Sequence, residues 1–161
     1  MNELLLKFNA AGIRYLLIGG QAVRLAGMPR FSMDWDFFIP PRDQENFTRL
    51  NGLLEKELDA PLVPLGPKGE NFIQTYQTRW GVLQFHLGLP GVPSFDEAER
   101  TGVTRQTEQG TPAKCLSGNT CLPPSEPPTD HRIKRTLNSS PNCNGWENWL
   151  DSERSFSPHR R

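Results

Sequence analysis

Two aspartates separated by one aromatic residue, Asp34 and Asp36, lie between apolar stretches of the chain. Because successive side chains of a strand point to opposite faces, an Asp-x-Asp pair in a strand places both carboxylates on one face. Such carboxylates repel each other unless a cation lies between them, and Mg²⁺ and Mn²⁺ favour oxygen ligands of this kind. The pair therefore predicts a metal site, although an isolated Asp-x-Asp is more often surface charge.

Two glycines, Gly19 and Gly20, directly follow the apolar run at residues 15–18. Glycines after a buried strand permit a tight turn and a close approach of the backbone to a ligand, with amide groups directed at phosphate. A glycine pair alone is usually only a turn. A phosphate-binding turn beside two metal-binding acids, however, is the equipment for phosphoryl or nucleotidyl transfer.

The elements that must position these residues alternate between helical and strand patterns. Apolar residues at helical spacing predict a first helix that ends at Gly12. The other predicted elements are strands at 15–18 and 35–39, a helix at 21–25, a helix from 44 to about 58 capped by Asp43, strands at 71–78 and 81–89 with a turn near Arg79, and a short helix capped by Ser94. This order predicts an α/β or α+β domain with a mixed β-sheet flanked by helices.

Composition divides the chain at about residue 114. Residues 1–114 have the patterns of a folded domain, whereas residues 120–128 contain four prolines and the segment 115–161 has few aliphatic residues. We therefore expect an irregular tail at 115–161 that is disordered or loosely attached. The cysteines, all in the last third, form no Cys-x-x-Cys pair and are odd in number, which argues against both a disulfide framework and a zinc site.

Charge and hydropathy exclude several classes of partner. The chain has 18 Lys+Arg and 18 Asp+Glu, so no overall field attracts it to nucleic acid or to a membrane surface. It contains no apolar run of transmembrane length, and its N-terminus lacks the pattern of a signal peptide. We expect a cytoplasmic protein with no membrane partner.

The order of motifs in residues 16–40 resembles that of a known family. An apolar strand, Gly19-Gly20, a helix and then Arg30-Phe-Ser-Met-Asp-Trp-Asp36 are similar to the signature of the nucleotidyltransferase superfamily, which has the polymerase-β fold. The closest likeness is to minimal nucleotidyltransferases and AbiEii-like abortive-infection proteins of bacteria. Residues 81–99 resemble the next core strand of that family, with its Leu-Pro-Gly turn and the start of a helix. The resemblance covers roughly residues 1–115 and implies the nucleotidyltransferase fold.

The resemblance implies an activity and a set of site residues. Asp34 and Asp36 would bind Mg²⁺ (or Mn²⁺) together with a nucleoside triphosphate (NTP), the substrate. The nucleoside monophosphate would pass to a hydroxyl group of a protein or an RNA, in a toxin–antitoxin or phage-defence system with a cognate toxin or antitoxin protein as partner. The nucleotide-binding residues that it implies are Gly19, Gly20, Arg30 and Ser32. Arg30 is as readily a surface residue, and Ser32 is as readily a brace for the turn.

The sequence departs from the family at the third acid. Counting back from Pro90-Gly91, the position of that acid falls on Gln84. Glutamine is neutral and cannot accept a proton from an attacking hydroxyl, and its carbonyl is a weaker metal ligand than a carboxylate. His86 shares this strand face and could act as a base, but a histidine there is more often hydrogen-bonded structure. The alternative function is a catalytically impaired module that binds a nucleotide or a partner.

The tail departs from the family more severely. Relatives continue after the Leu-Pro-Gly region into helices that contain lysine and acidic residues, and residues 120–141 have no such pattern. Because the pattern is lost abruptly, we hypothesise that a frameshift near Asn119 replaced the native C-terminal helices. The gene sequence tests this hypothesis, which fails if no alternative reading frame encodes family-like helices.

Overall fold

The computed structural model describes residues 2–29, 31–92 and 94–118. The expected tail, and with it the proposed frameshift, lies almost wholly outside the described residues. The helices of the described part are α1 (Asn2–Ala10), α2 (Gly19–Leu25), α3 (Gln44–Leu54) and α4 (Phe95–Thr101). Its strands are β1 (Leu16–Ile18), β2 (Trp35–Phe38), β3 (Ile73–Thr78), β4 (Gly81–His86), β5 (Val103–Gln106) and β6 (Pro112–Cys115).

The strands form one six-stranded mixed sheet in the order β3-β4-β2-β1-β6-β5. The central strand β2 pairs with β1 in the antiparallel and with β4 in the parallel direction. The outer pairs, β3 with β4 and β5 with β6, are antiparallel, and β6 runs parallel to β1. The prediction of a mixed β-sheet flanked by helices is therefore confirmed, and the domain is α+β.

The two faces of the sheet carry different amounts of apolar packing. On one face, Phe37 and Phe85 are fully buried in the main core with the apolar sides of α1 and α3. The Phe37 ring lies 5.3 Å from that of Phe8 and 5.7 Å from that of Phe85, measured between centroids. The other face holds a smaller cluster, in which Phe38 packs against Phe95 of α4. Because side chains alternate along β2, Asp36 projects from the face of the smaller cluster.

Most expected elements are present, with shifted ends. The helix expected at 21–25 begins earlier, at Gly19, and the long helix ends at Leu54 rather than near residue 58. Strands β5 and β6 were not expected from the sequence at all. Three of the four residues of β5 are exposed, and β6 begins with a proline, so neither strand has the apolar run that predicts a buried strand. In the described part of the chain, no helix is long and apolar enough to cross a membrane.

Arg14, in the loop before β1, links α3 and α4 by ion pairs. Its guanidinium lies 3.2 Å from the carboxylate of Asp43, the N-cap of α3, and 2.5 and 2.6 Å from Asp96 and Glu99 of α4. Asp43 also accepts a hydrogen bond of 3.0 Å from the backbone N–H of Asn46. Since Arg14 is partly exposed, each pair contributes about 1 kcal/mol or less, but together they orient α3 and α4 relative to β1.

The cap of α3 makes stability depend on acid. The hydrogen bond from the Asn46 N–H, with the nearby Arg14 guanidinium, lowers the pKa of Asp43 below its ordinary value of 3.8. A carboxyl whose pKa is lowered by folding stabilises the fold above its unfolded pKa, and that contribution is lost as the pH falls through the folded pKa. We expect the free energy of unfolding of Asp43→Asn, which keeps an N-cap oxygen, to fall less than that of the wild type as the pH is lowered past about 4.

Urea denaturation at a series of pH values measures this difference. Asp59→Asn, which removes the charge of an exposed aspartate, serves as the matched control and should keep the wild-type slope. Identical slopes for the wild type and Asp43→Asn would contradict the assignment of acid sensitivity to this cap.

Candidate functional site

The pairing of β1 with β2 brings the glycine turn to the second aspartate. Ile18, the last residue of β1, is in register with Asp36. The next residue, Gly19, has a φ of +63°, and a Cβ added to it would lie 2.2 Å from Oδ2 of Asp36. Both facts require glycine, since an L-residue is strained at this φ and its Cβ would overlap the carboxylate. The backbone of the turn is thus packed directly against the Asp36 side chain.

Strand β4 brings Gln84 to the other side of Asp36. These two residues are in register in the parallel β2–β4 pair, so their side chains leave the same face of the sheet. Thr75 of β3 is in turn in register with Gln84. Asp36 and Gln84 are partly buried and Thr75 is exposed, so solvent reaches this row of polar residues mainly at its Thr75 end. The position that the resemblance gives to the third acid therefore adjoins Asp36, and it holds a neutral amide.

His86 contacts the same aspartate from a buried position. Its Nε2 lies 3.4 Å from Oδ1 of Asp36, and the two side chains are 2% and 17% exposed, respectively. A general base must reach the hydroxyl from which it takes a proton. Burial leaves His86 poorly placed for that role, and its contact with Asp36 favours the structural alternative, in which it orients the carboxylate.

Asp34 occupies the loop before β2 rather than the strand itself. Strand β2 begins at Trp35, so strand alternation alone does not fix the direction of the Asp34 side chain. The backbone of Asp34 is held instead by Ser32, whose Oγ donates a hydrogen bond of 3.3 Å to the Asp34 carbonyl. This contact is compatible with the brace alternative for Ser32, and its nucleotide contact stays a prediction. Arg30 lies outside the described residues, so its phosphate contact stays a prediction.

Gln21 is a residue of this site that the sequence did not reveal. It lies in α2 directly after the two glycines, and its side-chain Nε2 donates a hydrogen bond of 2.8 Å to the carbonyl of Ser32. Gln21 is 3% exposed, and its Oε1 has no hydrogen-bond partner among the described residues. An unpaired buried amide oxygen costs about 1–3 kcal/mol. The only sequence signal was a polar residue in a short helix beside the glycine turn.

The site holds oxygen donors of the chemical type that a hard divalent cation takes. Mg²⁺ in nucleotide sites is commonly held by one or two carboxylates, with substrate phosphates and water completing its coordination. The structure brings together the Asp36 carboxylate and the Gln84 amide. The Asp34 carboxylate belongs to the loop before β2, and strand pairing does not place it beside them. Among the described residues, no group of three or more His, Cys, Asp or Glu side chains is arranged to hold a metal ion. Any ion bound here would therefore rely on its phosphate ligands.

No protein-family model matches the chain, and no curated protein is significantly similar to it. The case for a function therefore depends on the geometry of the site and on the residues that compose it.

The contact between Gly19 and Asp36 predicts an unusually costly substitution. Gly19→Ala must place a methyl group where the Asp36 carboxylate lies, in addition to straining the backbone. Gly12→Ala is a matched control, because Gly12 has a φ of +61° and its added Cβ would meet only the end of the Arg49 side chain, at 3.3 Å. We expect Gly19→Ala to lower the free energy of unfolding by about 1–3 kcal/mol more than Gly12→Ala does.

Chemical denaturation of the two variants measures the comparison. Equal losses of stability would show that the Asp36 carboxylate moves away freely and that the turn and the acid are not tightly packed.

Proposed function

We propose that this chain has the nucleotidyltransferase fold and transfers a nucleoside monophosphate from an NTP to a hydroxyl group of a protein or an RNA, with Mg²⁺ or Mn²⁺. The observation that carries the proposal is the meeting of three separated motifs. The glycine turn and the third-acid position at Gln84 flank Asp36 from the two strands that pair with β2.

Each residue of the site has a distinct part in this proposal. Asp34 and Asp36 would hold the cation, with the amide oxygen of Gln84 beside them. The cation, when bound, neutralises charge that develops on the phosphate in the transition state. Gly19 and Gly20 would bind the triphosphate through their backbone N–H groups. His86 orients the Asp36 carboxylate from its buried position, through the contact between the His86 Nε2 and the Asp36 Oδ1.

A second candidate function follows from Gln84 and is a nucleotide-binding or partner-binding module without efficient transfer. Glutamine has nearly the shape of glutamate, so it preserves the form of the site, but it carries no charge and accepts no proton at neutral pH. Because Gln84 is in register with Asp36, an uncharged side chain lies at the centre of the candidate site. The chain would then still bind the nucleotide or the partner, but it would not remove the proton from the acceptor hydroxyl.

The biological setting is proposed from the resemblance alone. A toxin–antitoxin or phage-defence system would supply a cognate protein partner encoded nearby. An RNA acceptor would have to be recognised locally, because the chain has no net charge to attract it over a distance.

Binding of the NTP is the first test. We expect an NTP with Mg²⁺ to raise the melting temperature of the wild type, because a ligand at 100 times its Kd stabilises the fold by about 2.7 kcal/mol. Asp36→Asn should abolish the shift, since it removes the central carboxylate, while the exposed Asp59→Asn should retain it. The shift should also disappear when EDTA replaces Mg²⁺. No shift with any of the four NTPs would refute the proposed site.

Transfer activity separates the two candidate functions. Radiolabel from an α-labelled NTP is followed into protein or RNA acceptors for the wild type and for Gln84→Glu. If the neutral residue limits catalysis, Gln84→Glu should be faster by about 10²-fold or more, the usual contribution of a general base. Gln77→Glu, which adds the same charge on exposed β3, is the control and should have no effect. Brisk transfer by the wild type would eliminate the second candidate.

A further inference from the structure

We infer that Gln21 is a positioning residue, which holds Asp34 in place relative to the Gly19-Gly20 turn. The inference rests on the proposed function and assigns to that site a residue outside its implied ligand set. Gln21 acts through Ser32, because its observed hydrogen bond is to the Ser32 carbonyl and not to either aspartate.

The hydrogen bonds form a continuous link from the turn to the acid. Gln21 is fixed to the turn because both belong to α2. Its Nε2 donates to the carbonyl of Ser32 at 2.8 Å, and the Ser32 hydroxyl donates to the carbonyl of Asp34 at 3.3 Å. The two ends of the link are the glycine turn and the first aspartate, which are the parts of the site that strand pairing does not join.

The loop between α2 and β2 needs such a link. Its first residues are held by backbone hydrogen bonds to the end of α2, such as that from Met28 N–H to the Val23 carbonyl. Farther along, the side chains of Phe31 and Met33 are 88% and 73% exposed, so they do not anchor the loop by burial. The Gln21–Ser32 hydrogen bond therefore fixes the second half of the loop, where Asp34 lies.

The amide of Gln21 is also a poor choice for stability. The side chain is almost wholly buried, and its Oε1 has no partner among the described residues. Methionine has a similar shape and would avoid burying an unpaired oxygen. A residue that served only to pack α2 would therefore be apolar, and what the amide adds is the N–H donor that reaches Ser32.

Titration with Mn²⁺–ATP tests the role of Gln21 in the full-length chain. Gln21→Met should raise the Kd by about tenfold or more, the usual effect of losing a residue that orients a metal ligand, without lowering the melting temperature. Asn51→Leu is the control, because Asn51 also uses its amide to hold backbone, at Leu62, but belongs to α3. It should lower the melting temperature and leave the Kd unchanged.

A second variant keeps the test decisive if Gln21→Met does not fold. Ser32→Ala retains the carbonyl that Gln21 binds and removes only the hydroxyl that donates to Asp34, so it should raise the Kd by a smaller factor, about threefold. If the wild type binds Mn²⁺–ATP and both variants bind it equally well, the inference about Gln21 is overturned. The proposed function is not overturned by that result. A wild type that does not bind Mn²⁺–ATP would overturn the proposed function, and the inference with it.

Discussion

The antiparallel pairing of β1 with β2 is the constraint on which the candidate site depends. It places Ile18 opposite Asp36, so the chain that leaves β1 must turn immediately beside a carboxylate. The main core enforces this register, because Phe37 is fully buried against Phe8 and Phe85. A slip of one residue would expose Phe37 and bury Asp36, which costs far more than any single polar contact of the site. Packing on one face of the sheet thus determines which polar side chains lie on the other face.

The candidate site combines residues held by strand pairing with one held in a loop. Asp36 and Gln84 are held by paired strands, and His86 supports Asp36 from a buried position. Asp34 belongs to a loop and is held by hydrogen bonds through Ser32. A cation bound by both aspartates would therefore join a fixed ligand to an adjustable one. Metal sites need such ligands to be oriented by surrounding groups, and here that orientation has to come from the loop.

The sequence predicted the features that depend on local residue patterns. It did not predict those that depend on contacts between residues far apart in the chain. Strand alternation correctly predicted that Asp36 and Phe37 leave opposite faces of the sheet, and Gln84 lies in the strand predicted at 81–89. Strands β5 and β6 were missed because their side chains are largely polar or exposed, and they join the sheet through the pairing of β6 with β1. The role of Gln21 was equally invisible, because its partner, Ser32, belongs to a loop whose path the sequence does not specify. The position of Asp34 before β2, and not within it, also depends on the path of this loop.

The fit of Gly19 against Asp36 has a consequence for how such chains change over evolutionary time. The glycine is required by the volume of the aspartate, whether or not a nucleotide ever binds. A lineage that lost transfer activity would still be penalised for replacing it, since the penalty falls on folding. The glycine and the acid would then be retained together for packing alone, so their fit reports on the fold of the chain and not on its activity.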